Sequence, residues 1–136
     1  MRILHQLVFA ILLLNFVSCG HSDTADAEVD FVMSSDDIVS EFLNDEQAAN
    51  AKYNDYILQV TGPVMELTNE NGMVHGIKIS SDEFNIVNCT FQHPVEPAEI
   101  SDGSITVKGV CSGFNGDSES MLPGGTIELK RSTLVQ

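Results

Sequence analysis

The chain is predicted to be mainly β with one N-terminal helix, its strands closing into a small five-stranded barrel. Three observations predict this. The apolar residues recur with a period near 3.6 from Asp36 to Tyr53, and the period changes to two from Tyr56 onward. Five alternating segments then follow one another, separated by short turn signals. Glycines stand inside the first two of them, Gly62 and Gly76, and an interior glycine marks the bulge or sharp bend that lets a sheet curl shut.

The helix has its own start signals. Ser34 or Ser35 can cap it, and Asp36 and Asp37 sit in the first turn, where the helix dipole favours negative charge. Ile38, Phe42, Ala49 and Tyr53 fall on one face. A break near Asn44 is compatible with Leu43-Asn44-Asp45-Glu46, which can cap a second short helix, and Asn54-Asp55 ends the segment.

In the first strand, Tyr56 to Met65, Leu58, Val60, Gly62 and Val64 share a face. Glu70-Asn71-Gly72 is a hairpin turn, because Asn-Gly tolerates positive φ. Met73 to Ser80 follows, with Met73, His75, Ile77 and Ile79 expected to point inward. Phe84 to Phe91 places Val87, Cys89 and Phe91 inward. His93 to Gly103, with two prolines, reads as an irregular excursion. Ser104 to Cys111 alternates Ile105, Val107, Gly109 and Cys111. Ser112 to Gly124 reads as a loop, and Thr126 to Lys130 as a last strand with Ile127 and Leu129 inward.

The first nineteen residues place the chain in a cell. Arg2 is a basic start, Leu7 to Leu14 is an unbroken apolar run, and Phe16-Val17-Ser18-Cys19 ends it with a small residue before a cysteine. That order is a bacterial lipoprotein signal peptide. The run is too short for a membrane-spanning helix, which needs roughly 20 apolar residues. Phe16 stands where leucine is usual, so an ordinary secretory peptide is the rival reading. The expected division is a signal peptide over 1–18, a flexible acidic tether over 19–33 and the helix-plus-barrel domain over 34–136. Cys19 would carry the lipid. Gly20, in place of the aspartate that retains lipoproteins at the inner membrane in some bacteria, directs the protein to the outer membrane.

Loss of residues 1–18 leaves 118, the size of one domain. It removes Arg2 and none of the 20 acidic residues, so the mature formal charge is −15. Such a chain repels phosphate backbones, and Lys52, Lys78, Lys108, Lys130 and Arg131 are scattered rather than clustered. Cys89 and Cys111 remain as a pair in an oxidising compartment, both on the inward phase. A disulfide across the barrel interior is therefore expected, closing a loop of about 22 residues and worth about 3 kcal/mol in the chain-entropy model.

The order Ala48-Ala49-x-x-x-Tyr53, Val60-Thr61-Gly62-x-Val64, Val87-x-Cys89-x-Phe91 and Val107-Lys108-Gly109-x-Cys111-x-Gly113 resembles the tRNA_anti-like family of OB-fold proteins. The likeness covers roughly Asp36 to Leu129. It implies a five-stranded OB barrel preceded by a helix, and it brings no catalytic residues. It also implies a further cysteine after the last strand, where Arg131-Ser132-Thr133 has none.

No catalytic set emerges from the residues. His21, His75 and His93 are far apart, without HxH, HExxH or CxxC spacing, so no metal or other cofactor is expected. Asn115-Gly116-Asp117-Ser118-Glu119 lacks the alternating ligands of a calcium loop. There is no G-x-S-x-G and no tryptophan. The expectation is a non-enzymatic, lipid-anchored envelope protein that binds another envelope protein or a small ligand. An oligosaccharide-, nucleotide- or nucleic-acid-binding OB domain is the alternative. The residues of its ligand site are not identified by the sequence.

Overall fold

The computed structural model describes residues 22–80, 82–116 and 124–136. The signal segment, Cys19, His21 and most of the loop before the last strand lie outside the described residues. Six strands and two short helices follow one another: β1 (Phe31–Ser34), α1 (Ser35–Asn44), α2 (Glu46–Tyr53), β2 (Ile57–Glu70), β3 (Met73–Ile79), β4 (Asn85–Val95), β5 (Ser104–Gly116) and β6 (Gly125–Leu134).

Five of the strands close a barrel. Long β2 makes this possible by changing partners along its length. Ile57 to Pro63 pair with β5, and Val64 to Glu70 pair with β3. β3 pairs with β4, β4 with β6, and β6 with β5, which completes the circuit. Only the β4–β6 pairing within the barrel is parallel. This is the OB-type barrel that the sequence predicts, with one added strand. β1 runs parallel to β2, Phe31 opposite Leu58 and Ser34 opposite Thr61, and covers the edge that β3 does not reach.

The expected helix is two helices. Asp45 is extended (φ −155°) and serves both: its N–H donates to Glu41 O, ending α1, and its carboxylate accepts from Ala48 N–H at 3.0 Å, starting α2. Ser34 is the cap of α1, accepting from Asp37 N–H at 3.1 Å. Ile38, Phe42, Ala49 and Tyr53 are all buried and close one end of the core. Leu58, Val60, Val74, Ile77, Ile79, Val87, Val107, Ile127 and Leu129 fill the barrel. Each such side chain contributes about 1.5–3 kcal/mol by leaving water.

The two glycines of the early strands act differently. Gly76 lies where the β3–β4 register slips, so the expected bend is there. The slip reverses the phase on its N-terminal side: Val74 is buried, and Met73 and His75, expected inward, are partly exposed. Gly62 provides closeness instead. A Cβ there would lie 2.3 Å from Ser35 Oγ and 2.4 Å from Ile79 Cγ2, so α1 could not start where it does over any other residue. The Asn71-Gly72 hairpin has φ of 52° and 81°, the signature of a type I′ turn.

Two further expectations are corrected. Cys89 and Cys111 are free thiols. Their phase is as expected, both inward and buried, but Cys89 and Cys111 are each opposite Leu129, on the two sides of β6. A strand between them separates their Cα atoms by about two inter-strand spacings, roughly 9–10 Å, beyond the reach of a disulfide. The stretch from Ser22 to Met33, expected to be flexible tether, is docked. Thr24–Asp26 forms a 3-10 turn with Thr24 buried, and Phe31–Ser34 is strand.

Candidate functional site

The outer surface of the barrel has two contrasting sides. One is covered by the chain's own N-terminal segment. Lys108, on the outward phase of β5, donates to Ala25 O at 2.7 Å and Ala27 O at 3.0 Å. Thr24 N–H donates to Gln92 Oε1 on β4 at 3.0 Å, and Arg131 on β6 donates to Ser22 O. His93 Nε2 is 3.1 Å from Asp23 Oδ2. The Asp23 carboxyl is held below its ordinary value by the Ala25 N–H, with His93 and Arg131 adding to the effect. The segment then reaches β2, where Asp30 N–H donates to Ile57 O and Asp30 Oδ2 accepts from Ile57 N–H. It is a strap across β4, β6 and β5, held largely through its backbone carbonyls.

The other side, over β2, β3 and β4, is open. In OB barrels the second and third barrel strands, with the loops at their ends, form the ligand face. Here those strands are β3 and β4. Register places Glu66, Lys78, Asn88 and Glu128 in one row across β2, β3, β4 and β6. Lys78 Nζ meets Glu66 Oε2 at 2.7 Å, and Asn88 Nδ2 donates to Glu128 Oε2 at 2.9 Å. The next row is Thr68, Gly76 and Thr90, with no side chain at its centre. The face therefore offers hydroxyls and amides around a shallow gap, with carboxylates on both flanks. Apart from the imidazoles of His75 and His93, β3 and β4 carry one aromatic ring, Phe91, which is buried.

The residues singled out by sequence do not converge. His75 stands on β3, and His93 is tied to the strap. Asn115 and Gly116 end β5, and residues 117–119 lie outside the described ones. Among the described residues, no group of three His, Cys, Asp or Glu side chains is placed to hold a metal ion. No helix among them is long and apolar enough to cross a membrane. Burial pushes both thiols up, Cys89 far above an ordinary thiol, so neither presents a thiolate.

Val60-Thr61-Gly62 and Lys108-Gly109 are devices for closing the barrel. Thr61 Oγ1 meets Thr106 Oγ1 across β2 and β5 at 2.8 Å, and Gly62 admits the start of α1. Gly109 faces the bulge in β6, where a Cβ would lie 2.4 Å from Ser132 Oγ. The family model tRNA_anti-like matches residues 1–122. The chain belongs to the tRNA_anti-like family. Among solved structures, this tRNA_anti-like protein is similar to a "putative nucleic acid-binding lipoprotein" from Klebsiella pneumoniae subsp. pneumoniae MGH 78578. The identity is 14%, the TM-score 0.51, and the match covers 86% of this chain and 100% of that one. A DUF3299 family protein from Pseudomonas aeruginosa PAO1 matches at 15% identity over 74% of this chain and 80% of that one, with a TM-score of 0.36. None of the curated proteins matches this chain.

The strap was not legible in the sequence. Lys108 reads as an ordinary outward lysine, and its burial follows from carbonyls brought to it from more than 80 residues away. The only available signal was that its neighbours on the strand, Val107 and Gly109, belong to a crowded stretch.

Proposed function

We propose that this tRNA_anti-like protein is a non-catalytic binding module of the cell envelope, lipid-anchored through Cys19, that presents the β3–β4 face to a protein partner. The observation that carries the reading is the row Glu66–Lys78–Asn88–Glu128 beside Thr68. It supplies hydrogen-bonding groups and an excess of carboxylate on the side that the strap leaves uncovered. Such a face suits a polar or basic protein segment. It is poorly suited to a single-stranded nucleic acid, which needs a basic groove with stacking platforms. The two thiols are buried and protonated, which supports a binding role over nucleophilic chemistry. Arg2, the Leu7–Leu14 run and Val17-Ser18-Cys19 support the anchor.

The test is a photo-crosslinking residue at Thr68 in the protein expressed with its own signal. A discrete protein adduct is expected at Thr68, and it should be lost when Glu66 and Glu128 are reversed to lysine. Saturable binding of single-stranded nucleic acid at physiological salt, with no adduct, would overturn the reading. Thermal stabilisation by oligosaccharides without an adduct would replace the protein partner with a sugar. Intact mass beside a Cys19→Ala variant checks the anchor: a lipid mass is expected, and is absent from the variant.

A further inference from the structure

The five basic residues beyond Cys19 are not equivalent in the fold. Lys52 is neutralised by Glu41 at 2.9 Å, and Lys78 by Glu66 at 2.7 Å. Lys108 is buried against two carbonyls. Lys130 and Arg131 form no ion pair within 4.0 Å among the described residues, although Arg131 lies near enough to Asp23 to help lower its carboxyl. They are adjacent, and both line one open groove of about 580 Å³, together with Thr90, Phe91 and Gln92.

The backbone is bent to bring them there. Lys130 is opposite Val110, and Thr133 is opposite Lys108, so β6 carries an extra residue between them. Arg131 occupies this bulge with φ 51°, a left-handed conformation that glycine or asparagine adopts at less cost. The bulge is what turns two consecutive side chains to the same groove, where a regular strand would send them to opposite faces.

The strap begins at the same place. Arg131 donates to Ser22 O, and the strap's Asp23 carboxylate is taken up by His93 Nε2 and Ala25 N–H. Cys19 is three residues before Ser22, which limits its distance from Ser22 to about 11 Å. A lipid on Cys19 would therefore hold this groove close to the bilayer surface. The rest of the molecule, with mature charge −15, is repelled by an anionic surface. Lys130 and Arg131 stand where attraction can act, and a guanidinium with an ammonium suits a phosphate.

We propose that the Thr90–Phe91–Gln92–Lys130–Arg131 groove binds the headgroup phosphate of an anionic lipid in the anchoring membrane. It thereby seats the barrel on the bilayer with the strapped side down. The inference rests on the lipid anchor at Cys19 proposed above.

The mature lipidated protein, reconstituted into vesicles, provides the test. A nitroxide is placed at Thr90→Cys, with Thr68→Cys on the open face as the reference; the two native thiols are buried. In vesicles with about 30 mol % phosphatidylglycerol, access of an aqueous nickel chelate to position 90 is expected to fall about threefold relative to phosphatidylcholine alone. Position 68 should not change. Lys130→Glu with Arg131→Gly should abolish the protection, since glycine keeps the positive φ of the bulge and removes the guanidinium. Equal access at position 90 in both lipids, or protection that survives the double substitution, would overturn the proposal. So would protection by free inorganic phosphate in neutral vesicles, which would assign the groove to a soluble anion. A protein that floats with vesicles but leaves position 90 open overturns this inference alone. One that floats with neither vesicle overturns the anchor as well.

Discussion

The side of the barrel covered by the N-terminal segment and the open β3–β4 side are built from the same kind of strand, yet they differ in what completes them. On the covered side, polar groups find partners within the chain: Lys108 with Ala25 and Ala27, Gln92 with Thr24, Arg131 with Ser22. On the open side the contacts run along the surface, Lys78 to Glu66 and Asn88 to Glu128, and leave Thr68 and Thr90 to solvent. Burial separates them energetically. A buried ammonium bonded to carbonyls is costly to disturb, while an exposed ion pair is worth about 0–1 kcal/mol. Stability is therefore concentrated where the N-terminal segment and helices meet the barrel, and the open face is free to vary.

Substitutions along this division should have graded effects. Phe42→Ala, where α1 stacks on Phe114 at 5.6 Å and packs near Tyr53 at 6.2 Å, should cost about 3–5 kcal/mol, seen as a lower denaturant midpoint. Gly62→Ala forces Ser35 and Ile79 aside and should cost about 1–3 kcal/mol in the same measurement. Lys108→Met leaves two carbonyls without their donor. It should cost about 1–3 kcal/mol, and proteolysis should begin near Ala25 before the barrel opens. Loss of the strap's protection without loss of global stability would show that the two sides fold independently.

Acid sharpens the contrast further. The Tyr53 hydroxyl, at 2.7 Å, and then Lys52 hold the Glu41 carboxyl below its ordinary value of 4.5. Because that folded-state value lies below the unfolded one, the contribution is present above about pH 4.5 and fades as pH falls through the folded value. Glu41→Gln should therefore lower stability at pH 7 and flatten the acid limb of a stability–pH curve, with the two curves converging below the folded value. Smallest of all, Lys78→Ala on the open face should cost about 1 kcal/mol or less, with the effect shrinking further in high salt.

Much of the fold could be read from the residues, and the failures share a cause. Ser34 as cap, the Asn71-Gly72 turn and the bend at Gly76 depend on local chemistry, and local chemistry is written in order along the chain. Cys89 and Cys111 show the limit. Their inward phase was legible, but phase carries no strand order, and β6 lies between them. His75 failed because one slip at Gly76 reverses the phase before it. The strap failed for another reason. It binds through the carbonyls of Ser22, Ala25 and Ala27, which every residue has, so a polar composition read as tether concealed a docked segment. For the candidate site, Lys78 and Glu66 are 12 residues apart, and Asn88 and Glu128 are 40 apart. No spacing signal joins them, and only the register does.

The position of β6 in the circuit also bears on synthesis. Among the described residues it is the last strand in chain order, yet it sits between β4 and β5 and pairs with both. Until residues 125–134 emerge, a nascent chain carries two open strand edges and no closed barrel. The barrel thus stays unlatched until the ten residues of β6 convert it in one step. A ribosome stalled before Gly125 would leave an aggregation-prone sheet in place of a shortened domain.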